Sequence, residues 1–247
     1  MDKVIISKSQ LLISIIFFGS NTMVFLFYLK ELFFNPHLLK YLTSLSYYAN
    51  SIFLFLCLLC DILLYIKNPS MEDKEMEINY NLLIDEETKK INNEITWVEK
   101  LNNWNRNKYG IICNSFSFFV SISFWILFFL GEEYIKVSNT FYAFLSTINL
   151  HLIISILVII DIFVSKREHK FSLEYFNVIL IIFLLYCFVT GINKYVFHIN
   201  PYAFMNGSLI FLIMYVLLSI FILYVSYLFN VYLINLKKKE YYGIKYE

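Results

Sequence analysis

Six apolar runs, near residues 9 to 29, 41 to 66, 110 to 130, 145 to 165, 173 to 197 and 207 to 235, constrain this chain more than any other feature. A helix needs about 20 mostly apolar residues to cross the hydrocarbon core of a bilayer, and each run supplies such a stretch. Hydrocarbon offers no partner to an unpaired backbone N–H or C=O, so runs of this length must close their own hydrogen bonds as helices. The expected fold is all-α: an integral membrane bundle of about six transmembrane helices, one domain over residues 1 to 247. Pro36, Pro69 and Pro201 all fall between the runs, where a missing N–H breaks no helical hydrogen bond.

Composition removes the soluble classes. The chain has 247 residues and is 59% hydrophobic but only 16% charged, so a water-soluble body of this size would lack the polar surface to cover its core. A net charge of +1 gives no basic footprint, and no nucleic-acid partner is expected. Cys57, Cys60, Cys113 and Cys187 all sit in apolar runs, which suits neither a disulfide framework nor a zinc site; no metal and no cofactor are expected. The first run follows Lys3 and Lys8 without a small-residue cleavage site and reads as a retained helix.

Lysine and arginine set the orientation. The amino terminus, the 67 to 109 and 166 to 172 segments and the carboxyl tail carry sixteen of them, against four in the alternate loops (Lys30, Lys40, Lys136 and Lys194), which places both termini in the cytosol. Within the 67 to 109 segment, Ile84, Ile91, Ile95, Val98 and Leu101 recur at helical spacing among charges, as in an amphipathic cytosolic connector lying on the bilayer surface. The sequence shows no internal repeat and no pair of broken helices of the kind many carriers possess.

Ionisable and polar groups inside the membrane are costly, and so mark candidate sites. The clearest are Asp61 in the second span and His151 and Asp161 in the fourth, with Thr43 opening the second. Asp61 and Asp161 stand near the same end of two spans that run in the same direction, so they share a depth; anchoring, by reaching water at the headgroups or a neighbouring lysine, explains them more simply than function does. At about 1.5 Å per residue, Thr43 lies roughly 27 Å from the Asp61 level and His151 about 15 Å from the Asp161 level, a mismatch of about 12 Å on straight helices. A tilt of the second span would close that gap, and so would a dipping, non-spanning segment between Glu132 and Ile148, with Thr147 or Asn149 then capping the fourth helix and His151 in its first turn.

Four histidines are too few for a di-iron desaturase, and neither HxxHH, GxGD nor GxSxG occurs. What remains for hydrolysis is a hydroxyl and one buried histidine. Lys40-Tyr-Leu-Thr43, followed by a helix closing on Leu-Cys60-Asp61, resembles the K-F-L-T opening and V-L-T-D close of the second helix in the androgen-induced-gene family, which includes the androgen-dependent regulator of tissue factor pathway inhibitor. Asn-Leu-His151 with Asp161 ten residues on is similar to that family's Met-His and later acid. Leu101-Asn-Asn-Trp104, Phe124-Trp125, Thr190-Gly191 and Pro201 resemble its L-x-x-W, F-W, T-G and Y-P.

The resemblance implies a multipass threonine hydrolase that cleaves fatty acid esters of hydroxy fatty acids, with Thr43 as nucleophile and His151 as general base, acting on a lipid ester in the endoplasmic reticulum or another internal membrane. Two departures bear on substrate range: Ile148 stands where the family often has a further histidine, and Cys187-Phe188 where it has a pair. Oxyanion donors are not identified by motif; Asn149 and backbone N–H groups at a helix start are candidates. The alternative from another class is a small transporter or proton or ion pathway using Asp61, Asp161 and His151. A non-catalytic membrane scaffold is the third reading.

Overall fold

The computed structural model describes residues 6–34, 42–67, 97–130, 147–165, 169–196, 198 and 208–243; these are about 94% helical and contain no strand. Among the described residues six helices follow in chain order. The first, α1, runs from Lys8–Ile13 through a π-helical turn at Ser14–Phe18 into Gly19–Phe34. Leu42–Lys67 forms α2. The long α3 joins Trp97–Trp104, a second π turn at Asn105–Tyr109, and Gly110–Leu130. A third π turn, Asn149–Ile153, leads into Ile154–Val164, and together they make α4. Leu173–Tyr195 is α5 and Leu209–Gly243 is α6.

Five of these are long and apolar enough to cross a bilayer, and His151–Val164 is a shorter apolar helix. The chain is thus an all-α integral membrane bundle. Residues 97 to 109, at the end of the expected connector, are helical and continuous with the third span; the rest of the connector, 68–96, lies outside the described residues. At about 1.5 Å per residue α3 is roughly 50 Å long, more than hydrocarbon thickness, so its charged amino end projects past the bilayer core. Val98 near that end is buried against Cys60, Leu64 and Ile6, which ties the projecting turns to α2 and the amino terminus.

Burial sorts the helices. In the most apolar window of each, 56% of residues are buried in α3 and 44% in α2, against 17% in α1 and α5 and 22% in α6. So α3 and α2 form the centre, with α1, α5 and α6 turning apolar faces outward: Met23, Ile181, Leu185, Ile210 and Phe221 are all exposed, as lipid-facing side chains should be. Two apolar clusters hold the bundle. One joins α3 to α4, α5 and α6 through Ile111, Phe119, Val158, Phe183 and Tyr227. The other joins α1, α2, α3 and α4 through Phe18, Tyr47, Phe53, Cys113 and Ile154.

Lipid tails are as apolar as leucine, so burial alone does not drive helices together in a membrane; close packing and interhelical hydrogen bonds must contribute. The structure has both. Asn50 Nδ2 donates to the Cys113 carbonyl at 3.0 Å, and Asn105 Nδ2 to the Phe53 carbonyl at 3.1 Å, which pin α2 to α3. Asn230 Nδ2 donates to the Ile111 carbonyl at 3.2 Å and fixes α6 to α3. The Tyr227 hydroxyl donates to the Ser172 carbonyl at 2.8 Å and accepts from the Ser172 N–H at 3.0 Å, clamping the start of α5 to α6.

Candidate functional site

The polar interior begins at an ion cluster. Arg106, lying in the π turn of α3, donates through Nη1 to Asp61 Oδ1 at 2.8 Å and through Nη2 to Asp61 Oδ2 at 2.9 Å, and its Nη2 also reaches Asp161 Oδ1 at 3.3 Å. Asn102 one turn earlier accepts from Nη1 at 2.9 Å. Ser14, in the π turn of α1, donates to Asp61 Oδ2 at 2.6 Å, and Gln10 adds a longer contact to Oδ1 at 3.4 Å. All three ions are buried: Arg106 is 3% exposed and both carboxylates 0%. Four helices therefore meet at this cluster: α2 and α4 on the guanidinium that α3 carries, whose planar fork suits two-pronged pairing with a carboxylate, and α1 through Asp61.

This cluster was legible only in part. The shared depth of Asp61 and Asp161 follows from the sequence, but Arg106 reads there as one more loop cation. Two sequence signals point inward: no proline or glycine interrupts residues 97 to 109, and Asn102 stands four residues before Arg106 on the same helix face.

Further along the bundle α3 and α4 are joined by serines. Ser117 and Ser155 hydroxyls lie 2.9 Å apart and Ser121 and Ser155 hydroxyls 2.7 Å apart. The Ser121 hydroxyl also donates to the backbone carbonyl of His151. The imidazole of His151 is buried and stacks on the Phe124 ring at a centroid distance of 3.6 Å and an angle of 16°. Its Nδ1 is buried with no hydrogen-bond partner among the described residues. The π turn that presents it packs against α2 as well as α3. Wide π turns of this type often occur where a helix carries a functional side chain, and here each of the three carries a buried polar group: Ser14, Arg106 and His151.

Thr43 sits half-buried in the first turn of α2. The preceding Leu42 N–H, one of the donors a helix start leaves without an intrahelical partner, donates to the Tyr186 hydroxyl of α5 at 3.0 Å. The start of α2 is thereby held beside the middle of α5. No hydrogen bond joins Thr43 to His151 among the described residues. The dipping segment expected before the fourth span, up to residue 146, lies outside those residues, while residues 147 and 148 are already helical. So the structure gathers Asp61, Asp161 and Arg106 at one level and seats His151 at another, with Thr43 on a helix that touches both levels. Among the described residues no three of His, Cys, Asp or Glu converge as a metal ion would require.

Fold and interior together define a helical integral membrane protein with a buried charged cluster and a separate buried histidine. Compared with known proteins, the chain matches no family profile, no curated protein and no solved structure.

Proposed function

We propose that the protein is an intramembrane hydrolase of lipid esters, with His151 as general base and Thr43 as nucleophile. The observation that carries this reading is the state of His151: a buried imidazole with an unpartnered Nδ1, presented by a π turn that packs against the helix bearing Thr43. A threonine hydroxyl is a weak nucleophile unless a base removes its proton. In the proposed reaction an imidazole nitrogen takes that proton as Thr43 Oγ1 attacks the ester carbonyl. The imidazolium then protonates the departing alkoxide, and water, deprotonated in turn by His151, releases the fatty acid from the acyl-threonine. The chemistry requires Thr43 and His151 to close when substrate is bound, and catalytic hydrogen bonds often tighten only then.

The resemblance to the androgen-induced-gene family supports the same pair and points to fatty acid esters of hydroxy fatty acids as substrate, in an internal membrane such as the endoplasmic reticulum. The relay alternative is the weaker of the two, because Arg106 engages both carboxylates and Asp61 additionally accepts from Ser14. A carboxylate so committed is poorly placed to pass a proton or cation along.

The test uses purified full-length protein in lipid nanodiscs, fatty acid ester substrates and a fluorophosphonate probe. Thr43→Ala should abolish hydrolysis and labelling, and His151→Ala should slow hydrolysis by about 10² to 10⁴. Thr43→Ser, which keeps the hydroxyl, should retain measurable turnover. A folded Thr43→Ala protein that hydrolyses esters at the wild-type rate sinks the proposal.

A further inference from the structure

The seam between α3 and α4 contains more polar atoms than the two helices satisfy between them. Asn114, Ser117 and Ser121 follow one another at spacings of three and four and share a face of α3; His151 and Ser155, four apart, share a face of α4. The contacts Arg106 to Asp161, Ser117 to Ser155 and Ser121 to the His151 carbonyl show that the helices run antiparallel along this face. Asn114 lies one turn from Ser117 toward the ion cluster, about 4.5 Å along the axis, whereas Asp161 lies about 9 Å from Ser155 in the same direction. The amide thus stands about midway in depth between the serines and the carboxylates.

Asn114 is fully buried, and neither its Nδ2 nor its Oδ1 has a partner among the described residues. At the far end of the same face the buried Nδ1 of His151 is in the same condition. Buried polar groups are almost always hydrogen-bonded, to protein or to ordered water, because leaving them unpaired is strongly unfavourable.

We propose that the α3/α4 seam binds a file of water molecules, running from the Asp61–Arg106–Asp161 cluster past Asn114 and the three serines to His151. Water is the ligand the chemistry selects. The occupant must donate to the amide oxygen, accept from the amide nitrogen, exchange hydrogen bonds with hydroxyls and an imidazole, and fit between packed helices. Interhelical adhesion alone accounts for the serines, which pair with one another, but not for Asn114, which pairs with neither helix. The file gives the buried imidazole a polar connection to one end of the bundle. It stands on geometry alone and does not depend on the hydrolase reading.

Water-edited solid-state NMR of the full-length, isotope-labelled protein in lipid bilayers tests this directly. Magnetisation from water should reach the Asn114 side-chain amide and the His151 imidazole several-fold faster than the backbone amides of Ile179 and Leu223, which are fully buried in the apolar cluster on α5 and α6, away from the seam. In Asn114→Leu, transfer to His151 should fall toward the Ile179 rate with the backbone spectrum otherwise kept. The measurement on the unaltered protein is decisive by itself if that variant does not fold. Build-up at Asn114 and His151 as slow as at Ile179 overturns the proposal, and so does fast transfer to Asn114 that stops short of His151.

Discussion

At the scale of single residues, the largest electrostatic commitment is Arg106. Placing three ions in a buried position is costly, and the cost is met only while the guanidinium serves both carboxylates. Arg106→Ala would leave two buried acids facing each other and should destabilise the protein by about 3 to 5 kcal/mol, the usual cost of breaking a buried pair. Thermal unfolding in detergent checks it, with Arg106→Lys expected in between, because an ammonium keeps the charge but not the two-pronged fit. Asp61→Asn should also lower stability, since Asp61 takes the two short contacts from Arg106 at 2.8 and 2.9 Å. His169, outside the spans, carries a pH prediction. Burial beside the Tyr175 ring holds its imidazole below the ordinary value, so the folded state favours the neutral form. The unfolded chain then binds the extra proton more readily, and stability should be full above about pH 6.5 and decline as pH falls below it. Melting curves between pH 7.5 and 5.5 should show that decline, and His169→Gln should flatten it; an unchanged slope in the variant would remove His169 as its cause.

At the scale of elements, α2 and α3 approach closely where Gly110 faces Phe53. A Cβ on Gly110 would sit 2.7 Å from Phe53 Cε2 and 3.1 Å from the Asn105 carbonyl oxygen, and Phe53 is fully buried with little room to turn. Gly110→Ala should therefore destabilise by about 1 to 3 kcal/mol, as overpacked cores do. Combining it with Phe53→Leu should cost less than the two changes added separately; additive costs would mean that the rings are not what limits the approach. The existence and order of the helices were legible in the sequence because the bilayer demands apolar runs of a fixed length. The amino extension of α3 was not, because residues 97 to 109 are rich in asparagine and charge and resemble a loop by hydropathy. The π turns left no mark in composition, yet they present Ser14, Arg106 and His151 to the interior. His151 was legible as a buried polar residue. Asn114 was passed over, since asparagine in an apolar run declares no charge. The relation of Thr43 to His151 could not follow from depth alone, as it depends on how the chain enters α2 and α4.

At the scale of the whole molecule, topology turns on α4. Among the described residues five helices are long enough to cross, and an even or odd total decides whether the two ends share a side of the membrane. The apolar part of α4, His151–Val164, rises only about 21 Å at 1.5 Å per residue, less than the hydrocarbon thickness of about 30 Å. Its partners nevertheless follow α3 from the ion cluster at Arg106 to the aromatic stack at Phe124, so it accompanies α3 through much of the bilayer. Residues 147 and 148 extend it further. Charge agrees with six crossings: with Arg106 removed from the loop count because it is buried, fifteen Lys and Arg still stand against four. The expected outcome is that epitope tags at both termini are reached by antibody when only the plasma membrane is permeabilised, in cells that hold the protein in an internal membrane. One tag reached and one protected would make α4 a re-entrant helix and the crossings five, and protection of both would invert the charge assignment.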